Sequence, residues 1–141
     1  MKRIFKFGLY TVIFVMALVL ISCTDKGIST DLWDNAIYTE DTELGDGEKT
    51  ITVEVAANDK YINFVINTNK NTLGDALMEH NLISGEKGAY GLYVKAVNGI
   101  TADYDIDQSY WLFTKDGEQM MTGVDGTEIS DGECYEITYT K

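Results

Sequence analysis

The amino-acid sequence predicts an α+β domain, in which one short helix packs across one face of a mixed β-sheet, preceded by a signal peptide and an acidic linker. Two patterns predict the domain. From residue 49 onward, short runs alternate apolar and polar residues, as half-buried strands do. One stretch among them has apolar residues at helical spacing, and such a stripe is buried only against another layer. We predict a signal peptide at 1–22, an acidic tether at 23–48 and one folded domain at 49–141.

The first segment has the parts of a secretory signal peptide. Lys2, Arg3 and Lys6 precede the uncharged, mostly apolar run 7–21, which is shorter than the roughly 20 residues of a membrane-spanning helix. The run ends in Leu-Ile-Ser-Cys, with the cysteine at Cys23, and this resembles a bacterial lipobox. The resemblance implies cleavage before Cys23, lipidation of its sulfur with acyl chains such as palmitate, and a lipid-anchored position on the extracytoplasmic side of the cell membrane. The alternative is an ordinary signal anchor with a buried cysteine.

Composition and charge exclude several classes of protein. The 141 residues carry 11 Lys+Arg against 23 Asp+Glu, a formal net charge of -12. A protein that binds nucleic acid without regard to sequence needs a basic surface, so we expect no nucleic-acid partner. Two cysteines and one histidine are too few for a disulfide-stapled mini-protein or a Cys/His zinc cage.

The segment 24–48 reads as a tether. It has many acidic residues, one base (Lys26) and no sustained period of 3.6 or 2. Its apolar exceptions are Trp33 and the patch 36–38. Two interpretations stay open for them: they dock on the domain or on a partner, or they are singly exposed apolar residues of the kind that is common on protein surfaces.

The predicted domain begins with a hairpin. Residues 51–56 and 61–67 alternate in hydrophobicity, and Asn58-Asp59 is the turn between them. A helix is predicted over 72–82, with Thr72 as its N-cap. Further strands are predicted at 90–97, 109–114, 119–121 and 133–140. The order strand, strand, helix and then three or four strands is the β-grasp plan.

Residues with catalytic chemistry are scarce, and we expect no enzyme. Catalysis needs a nucleophile beside a base, or paired carboxylates in contrasting environments. The one histidine, His80, falls on the predicted apolar helix face, and Cys134 begins the last strand. A Cys134–His80 pair stays open but has no accompanying oxyanion-type turn. Asp103, Asp105 and Asp107 resemble the opening of a Ca²⁺ loop but lack its later Gly and Glu, so they bind a cation or are a solvated loop.

Aromatic residues are more informative. Six of them gather in two strands and their connection: Tyr90, Tyr93, Tyr104, Tyr110, Trp111 and Phe113. On a strand, Tyr110 and Leu112 face away from Trp111 and Phe113, so both faces of this strand are apolar. One set therefore lies outside the helix-covered core, as a platform for a flat or bulky ligand or as a second layer of packing.

Short motifs in a fixed order carry a resemblance to a known family. They are Thr72-Leu73-Gly74-Asp75-Ala76-Leu77, Tyr90-Gly91-Leu92-Tyr93, Val97-Asn98-Gly99, Ser109-Tyr110-Trp111-Leu112-Phe113, Gly123-Val124 and Asp131-Gly132-Glu133. This stretch resembles the C-terminal domain of transcobalamin and intrinsic factor, and the small secreted bacterial proteins that share it.

The resemblance implies a ligand rather than a reaction. In the cobalamin carriers this domain closes over one face of a corrinoid that a larger helical domain holds. It implies Tyr90, Tyr93, Tyr110, Trp111 and Phe113 as the ligand-binding residues and a cobalamin-type ligand, with no metal held by the protein itself. Since this sequence shows no helical domain, a partner domain or transporter is expected to complete the site. The alternative function is a protein–protein or surface-polymer interaction module that uses an exposed sheet edge.

Overall fold

The structure is a computed structural model that describes residues 31–141. The predicted signal peptide at 1–22 and the predicted lipidation residue Cys23 lie outside the described residues. Within 31–141, no helix has the length and hydrophobicity to cross a membrane.

The described residues form nine strands and two short helices. The strands are β1 (Thr42–Leu44), β2 (Lys49–Ala57), β3 (Lys60–Thr68), β4 (Ile83–Gly88), β5 (Gly91–Val97), β6 (Ile100–Thr101), β7 (Tyr110–Lys115), β8 (Glu118–Gln119) and β9 (Cys134–Thr140). The helices are α1 (Leu73–Glu79) and the single turn α2 (Tyr104–Asp107), and 3-10 turns lie at Leu32–Asn35 and Val124–Gly126. The predicted α+β class is confirmed.

Two sheets divide these strands. The larger sheet has the order β1-β3-β2-β9-β7-β8, and the smaller has the order β4-β5-β6. The larger sheet is mixed, because β2 pairs parallel with β9 and β1 parallel with β3, whereas its other neighbours are antiparallel.

The register of the larger sheet places its apolar residues on one face. Val53 pairs with Phe64 and with Tyr135, and all three are almost fully buried. Helix α1 and the smaller sheet contribute Leu73, Leu77 and other residues to the same hydrophobic core. The opposite face of the larger sheet stays open to solvent and includes Tyr61 and Cys134.

The prediction of a tether over 23–48 is wrong for the described residues from Asp31 onward. The Trp33 indole is buried, and its Nε1 donates to the Ala57 carbonyl at 3.0 Å. Strand β1 adds three residues to the edge of the larger sheet beside β3. Acidic side chains do not prevent this, because they remain exposed while the backbone pairs. A three-residue strand is also too short to show an alternating pattern.

The predicted helix 72–82 is shorter in the structure. Thr72 caps it as expected, accepting a hydrogen bond from the Asp75 backbone N–H, but it ends at Glu79. His80 is the C-cap residue and Asn81 has a left-handed φ of 57°, which stops the helix. Strands β1, β4 and β6 were not predicted. Strand β4 has one apolar residue, Ile83, followed by five exposed polar or glycine positions from Ser84 to Gly88, so it gives no apolar alternation.

Candidate functional site

A cleft of about 300 Å³ lies between the two sheets, beside strand β7. Trp111 and Phe113 of β7 line one side, and Leu92 and Val94 of β5 line the other. Met120 and the 120–124 segment close one end. Ligand sites are mostly concave and apolar with a few polar groups, and the cleft has this character at the small end of their usual size range.

The Trp111 indole forms the floor of the cleft rather than an open platform. Its side chain is only 7% exposed, and its ring packs edge-on against Tyr139 with centroids 5.5 Å apart. Trp111 pairs in register with Tyr139, and Phe113 with the buried Ile137, so both side chains lie on the core face. The predicted separation of faces holds, since Tyr110 projects to the open face and is 37% exposed.

Four of the five predicted ligand-binding residues contribute to the lining of this cleft: Trp111 and Phe113 from the core face of β7, and Tyr93 and Tyr110 as well, although the Tyr110 side chain itself projects to the open face. Tyr90 does not, since it is fully exposed in the turn between β4 and β5. Sequence reasoning missed the contributions of Leu92, Val94 and Met120. The apolar run in β5 was visible, but nothing in the sequence indicated that β5 would lie opposite β7.

Asp125 fixes the loop that borders the cleft. Its Oδ2 accepts a hydrogen bond of 2.9 Å from the Leu92 backbone N–H at the start of β5. A Cβ added at Gly74 would lie 2.9 Å from Asp125 Oδ1, so a glycine in α1 makes room for this carboxylate. Gly74, unfavourable in a helix by propensity, is explained by this close approach.

The backbone edge of β7 is open where it borders the cleft. In the β7–β8 hairpin, Met120 N–H donates to the Phe113 carbonyl at 3.0 Å, so Phe113 points its backbone groups away from β9. Successive residues of a strand point their backbone groups to opposite sides. Trp111 lies two residues before Phe113, so its backbone groups also point away from β9. Strand β8 pairs only with Thr114 and Lys115. Within the described residues, the Trp111 N–H and C=O and the Phe113 N–H therefore have no strand partner.

An ion pair lies at the end of β7 that leads into the β7–β8 hairpin. The Lys115 Nζ is 3.1 Å from the Glu133 Oε1, and the other carboxylate oxygen of Glu133, Oε2, accepts a hydrogen bond from the Tyr135 hydroxyl. Burial and the hydrogen bond to Glu133 raise the pKa of Tyr135 above its ordinary value. Burial acts to raise the pKa of Glu133 as well, but the hydrogen bonds from Tyr135 and Lys115 outweigh it and the pKa of Glu133 is lowered.

Two carboxylates of the candidate cation loop, Asp103 and Asp107, bind neighbouring protein groups. Asp103 caps α2 by accepting from the Asp105 N–H, and Asp107 accepts from Ser109 and pairs with Lys141 at 3.2 Å. Within 31–141 the structure places no three His, Cys, Asp or Glu side chains together as a metal site.

Cys134 and His80 occupy different surroundings. Cys134 is exposed on the open face of the larger sheet, opposite Thr52. His80 lies beside Gly45, and its Nε2 has no hydrogen-bond partner in the described part of the chain.

Comparison with known proteins places these features in a family. Residues 70–141 match the family model described as Domain of unknown function (DUF4430). No curated protein matches.

Two solved structures share the fold. A protein from Ruminococcus gnavus ATCC 29149, with a proposed role in metal binding, is 42% identical over 67% of this chain and 98% of its own, with a TM-score of 0.63. Haptocorrin in complex with Cbi is 19% identical over 70% of this chain, with a TM-score of 0.51, and the match spans 27% of haptocorrin. The second likeness shows the fold alone, and it agrees with a transcobalamin C-terminal-like architecture. The chain belongs to the family described as Domain of unknown function (DUF4430).

Proposed function

We propose that this protein is a non-catalytic, lipid-anchored extracytoplasmic binding domain that holds a bulky, largely apolar ligand in the cleft between its two sheets. A corrinoid, or a metabolite of similar size and shape, is our named candidate. The observation that carries the proposal is the concave cleft floored by Trp111 and Phe113. Haptocorrin, which shares the fold, was solved with Cbi. We also infer that the centre of the larger sheet, in the order β3-β2-β9-β7, is β-grasp-like.

The size of the cleft favours a shared site. About 300 Å³ holds only part of a macrocycle such as a corrin, so much of the ligand surface would remain uncovered. Less buried surface means weaker binding, and a partner domain or transporter would complete the enclosure. The match spans only 27% of haptocorrin, so most of haptocorrin has no counterpart in this chain. A separate protein could supply the rest of the site.

A ligand that brings its own metal fits these residues better than a free metal ion. The Ruminococcus relative has a proposed role in metal binding, yet the described residues of this chain offer no cluster of three ligating side chains. A metal held inside a macrocycle needs few protein ligands, and an aromatic floor supplies contact area for the ring.

The proposed anchor would keep the domain close to the membrane. If Cys23 is lipidated, only residues 24–30 separate it from the first described residue, Asp31. Seven residues span at most about 25 Å. A transporter or partner in the same membrane would then meet the domain within that reach.

Equilibrium dialysis of residues 31–141 with cobinamide tests the proposal. The match to the Ruminococcus protein covers 98% of that chain and 67% of this one, so we expect residues 31–141 to include the whole folded domain. We expect micromolar to millimolar binding, with a loss of at least tenfold for Trp111→Ala. Tyr61→Ala removes an exposed ring on the open face and is the matched control, with binding unchanged. Absence of binding at millimolar cobinamide, or equal binding by the Trp111→Ala variant, would remove the corrinoid candidate.

A second candidate function is a protein–protein or surface-polymer interaction module. The open backbone edge of β7 favours it, because unpaired N–H and C=O groups on a sheet edge accept an added strand.

A further inference from the structure

We infer that the β7 edge binds an extended basic peptide, which adds a strand to the larger sheet beside the cleft. This inference rests on the second candidate function and specifies the edge, the pairing groups and the charge of the partner.

The free backbone groups have the spacing of a strand ladder. Trp111 and Phe113 are two residues apart, so their outward groups repeat as those of an edge strand do. The other side of β7 is occupied by β9, which pairs with it from Tyr110 to Lys115. Strand β8 ends at Gln119, and the chain then turns into the loop that lines the cleft. One side of β7 is thus left unpaired at residues 110–112.

The side chains around this edge suit alternate side chains of an added strand. On the core side, a residue opposite Trp111 would enter the cleft between Trp111 and Val94. On the open side, its neighbours would lie beside Tyr110 and Leu112, which are partly exposed. Added strands gain affinity from backbone hydrogen bonds and specificity from such alternate pockets.

Charge selects a basic partner. Residues 31–141 contain seven lysines, no arginine and 22 acidic residues. Acidic side chains also stand at both ends of β7, and the lysine at each end is already paired with another acid, Lys141 with Asp107 and Lys115 with Glu133. The Tyr104 ring of α2 lies 6.5 Å from that of Tyr110, which brings Asp105 of the same turn to the first end. Asp116 and Glu118 stand at the hairpin end.

A peptide with a lysine at each end would match this arrangement. The six residues of β7 extend roughly 20 Å, so the two lysines must be separated by about five extended residues. Attraction between the acidic domain and a basic peptide speeds association and weakens as salt is added.

The experiment uses residues 31–141 and three acetylated, amidated heptapeptides. The first is Lys-Thr-Val-Thr-Val-Thr-Lys, the second has Glu in place of both Lys, and the third carries N-methyl groups on alternate residues. In the free protein, the amide protons of Trp111 and Phe113 should exchange faster than those of Leu112 and Thr114, which face β9. The first peptide should slow exchange at Trp111 and Phe113 at least tenfold. The second and third peptides should bind at least tenfold more weakly.

A pair of variants tests the same edge from the protein side. Phe113→Pro and Phe113→Ala both remove the ring, but only proline also removes the N–H that points away from β9. Proline is tolerated at such positions of edge strands. We expect Phe113→Pro to bind the first peptide at least fivefold more weakly than Phe113→Ala.

Several outcomes would overturn the inference. They are equal binding of methylated and unmethylated peptides, unchanged exchange at Trp111 and Phe113, and no binding of the Lys-ended peptide at millimolar concentration. Cobinamide binding by the same protein would leave the corrinoid proposal standing in each case, so the two failures are distinguishable.

Discussion

Replacing Asn98 should show that the segment beginning at Asp31 is part of the folded domain. Asn98 is fully buried in the turn between β5 and β6. Its side-chain amide pairs with the Tyr38 backbone as a residue of a neighbouring strand would. Its Oδ1 accepts from the Tyr38 N–H at 2.9 Å, and its Nδ2 donates to the Tyr38 carbonyl at 2.8 Å. The Asn98 carbonyl also accepts from the Ile37 N–H at 3.0 Å.

The expected cost has two parts. Truncation to alanine removes both side-chain hydrogen bonds and leaves the Tyr38 backbone groups without them, which costs about 2–3 kcal/mol. Asn98 also has a left-handed φ of 51°, and alanine there costs about a further 1 kcal/mol. Asn98→Ala should therefore lower the free energy of unfolding by about 3–4 kcal/mol, and Asn98→Gly by about 1 kcal/mol less.

Urea denaturation of residues 31–141 at pH 7 measures these free energies. Asn58→Ala is the matched control, because Asn58 has nearly the same φ of 54° but is exposed in the β2–β3 turn. It should lose only about 1 kcal/mol. If Asn98→Ala is no worse than Asn58→Ala, Asn98 does not hold the 31–38 segment and the corrected domain boundary fails.

Three further predictions concern the anchor, the half-buried Glu133 and the acidic loop. Expressed with labelled palmitate, the full chain should incorporate label that Cys23→Ser abolishes and Cys134→Ser does not; label on Cys23→Ser would contradict the anchor. Because the pKa of Glu133 is lowered in the folded state, wild type should lose stability relative to Glu133→Gln as pH falls below 4.5. Identical pH profiles would show that its bonds to Tyr135 and Lys115 contribute nothing. Calorimetry with millimolar Ca²⁺ should give no heat from residues 103–107, and a saturable heat lost on removing these aspartates would show a cation site.

The elements with strong local signals could be predicted from the sequence. The β2–β3 hairpin alternates over nine residues on each side, and Asn58 supplies its left-handed turn residue. Asn98-Gly99 and Asp116-Gly117 mark turns in the same way, with positive φ at all four residues. In these places, backbone preference and hydrophobic pattern agree, so each segment could be assigned without knowledge of the rest.

The remaining elements depend on distant partners. Strand β1 is three residues long and exists because β3 offers it an edge. The Trp33 indole is buried, and its Nε1 donates a hydrogen bond to the carbonyl of Ala57, 24 residues away. The aromatic residues of β7 could be recognised as candidates, but the cleft could not, because its second wall comes from the smaller sheet. Tyr90 shows the same limit, since it was predicted as the first residue of a strand but lies in the turn before β5 and is fully exposed.

Tryptophan fluorescence tests the central claim, that the cleft over Trp111 is the ligand site, most directly. The chain has two tryptophans, so a Trp33→Phe variant reports on Trp111 alone and a Trp111→Phe variant on Trp33 alone. Titration with cobinamide, corrected for its own absorption, should quench the Trp33→Phe variant saturably and leave the Trp111→Phe variant almost unchanged. Equal quenching of both variants, or no saturable quenching of either, would contradict the account.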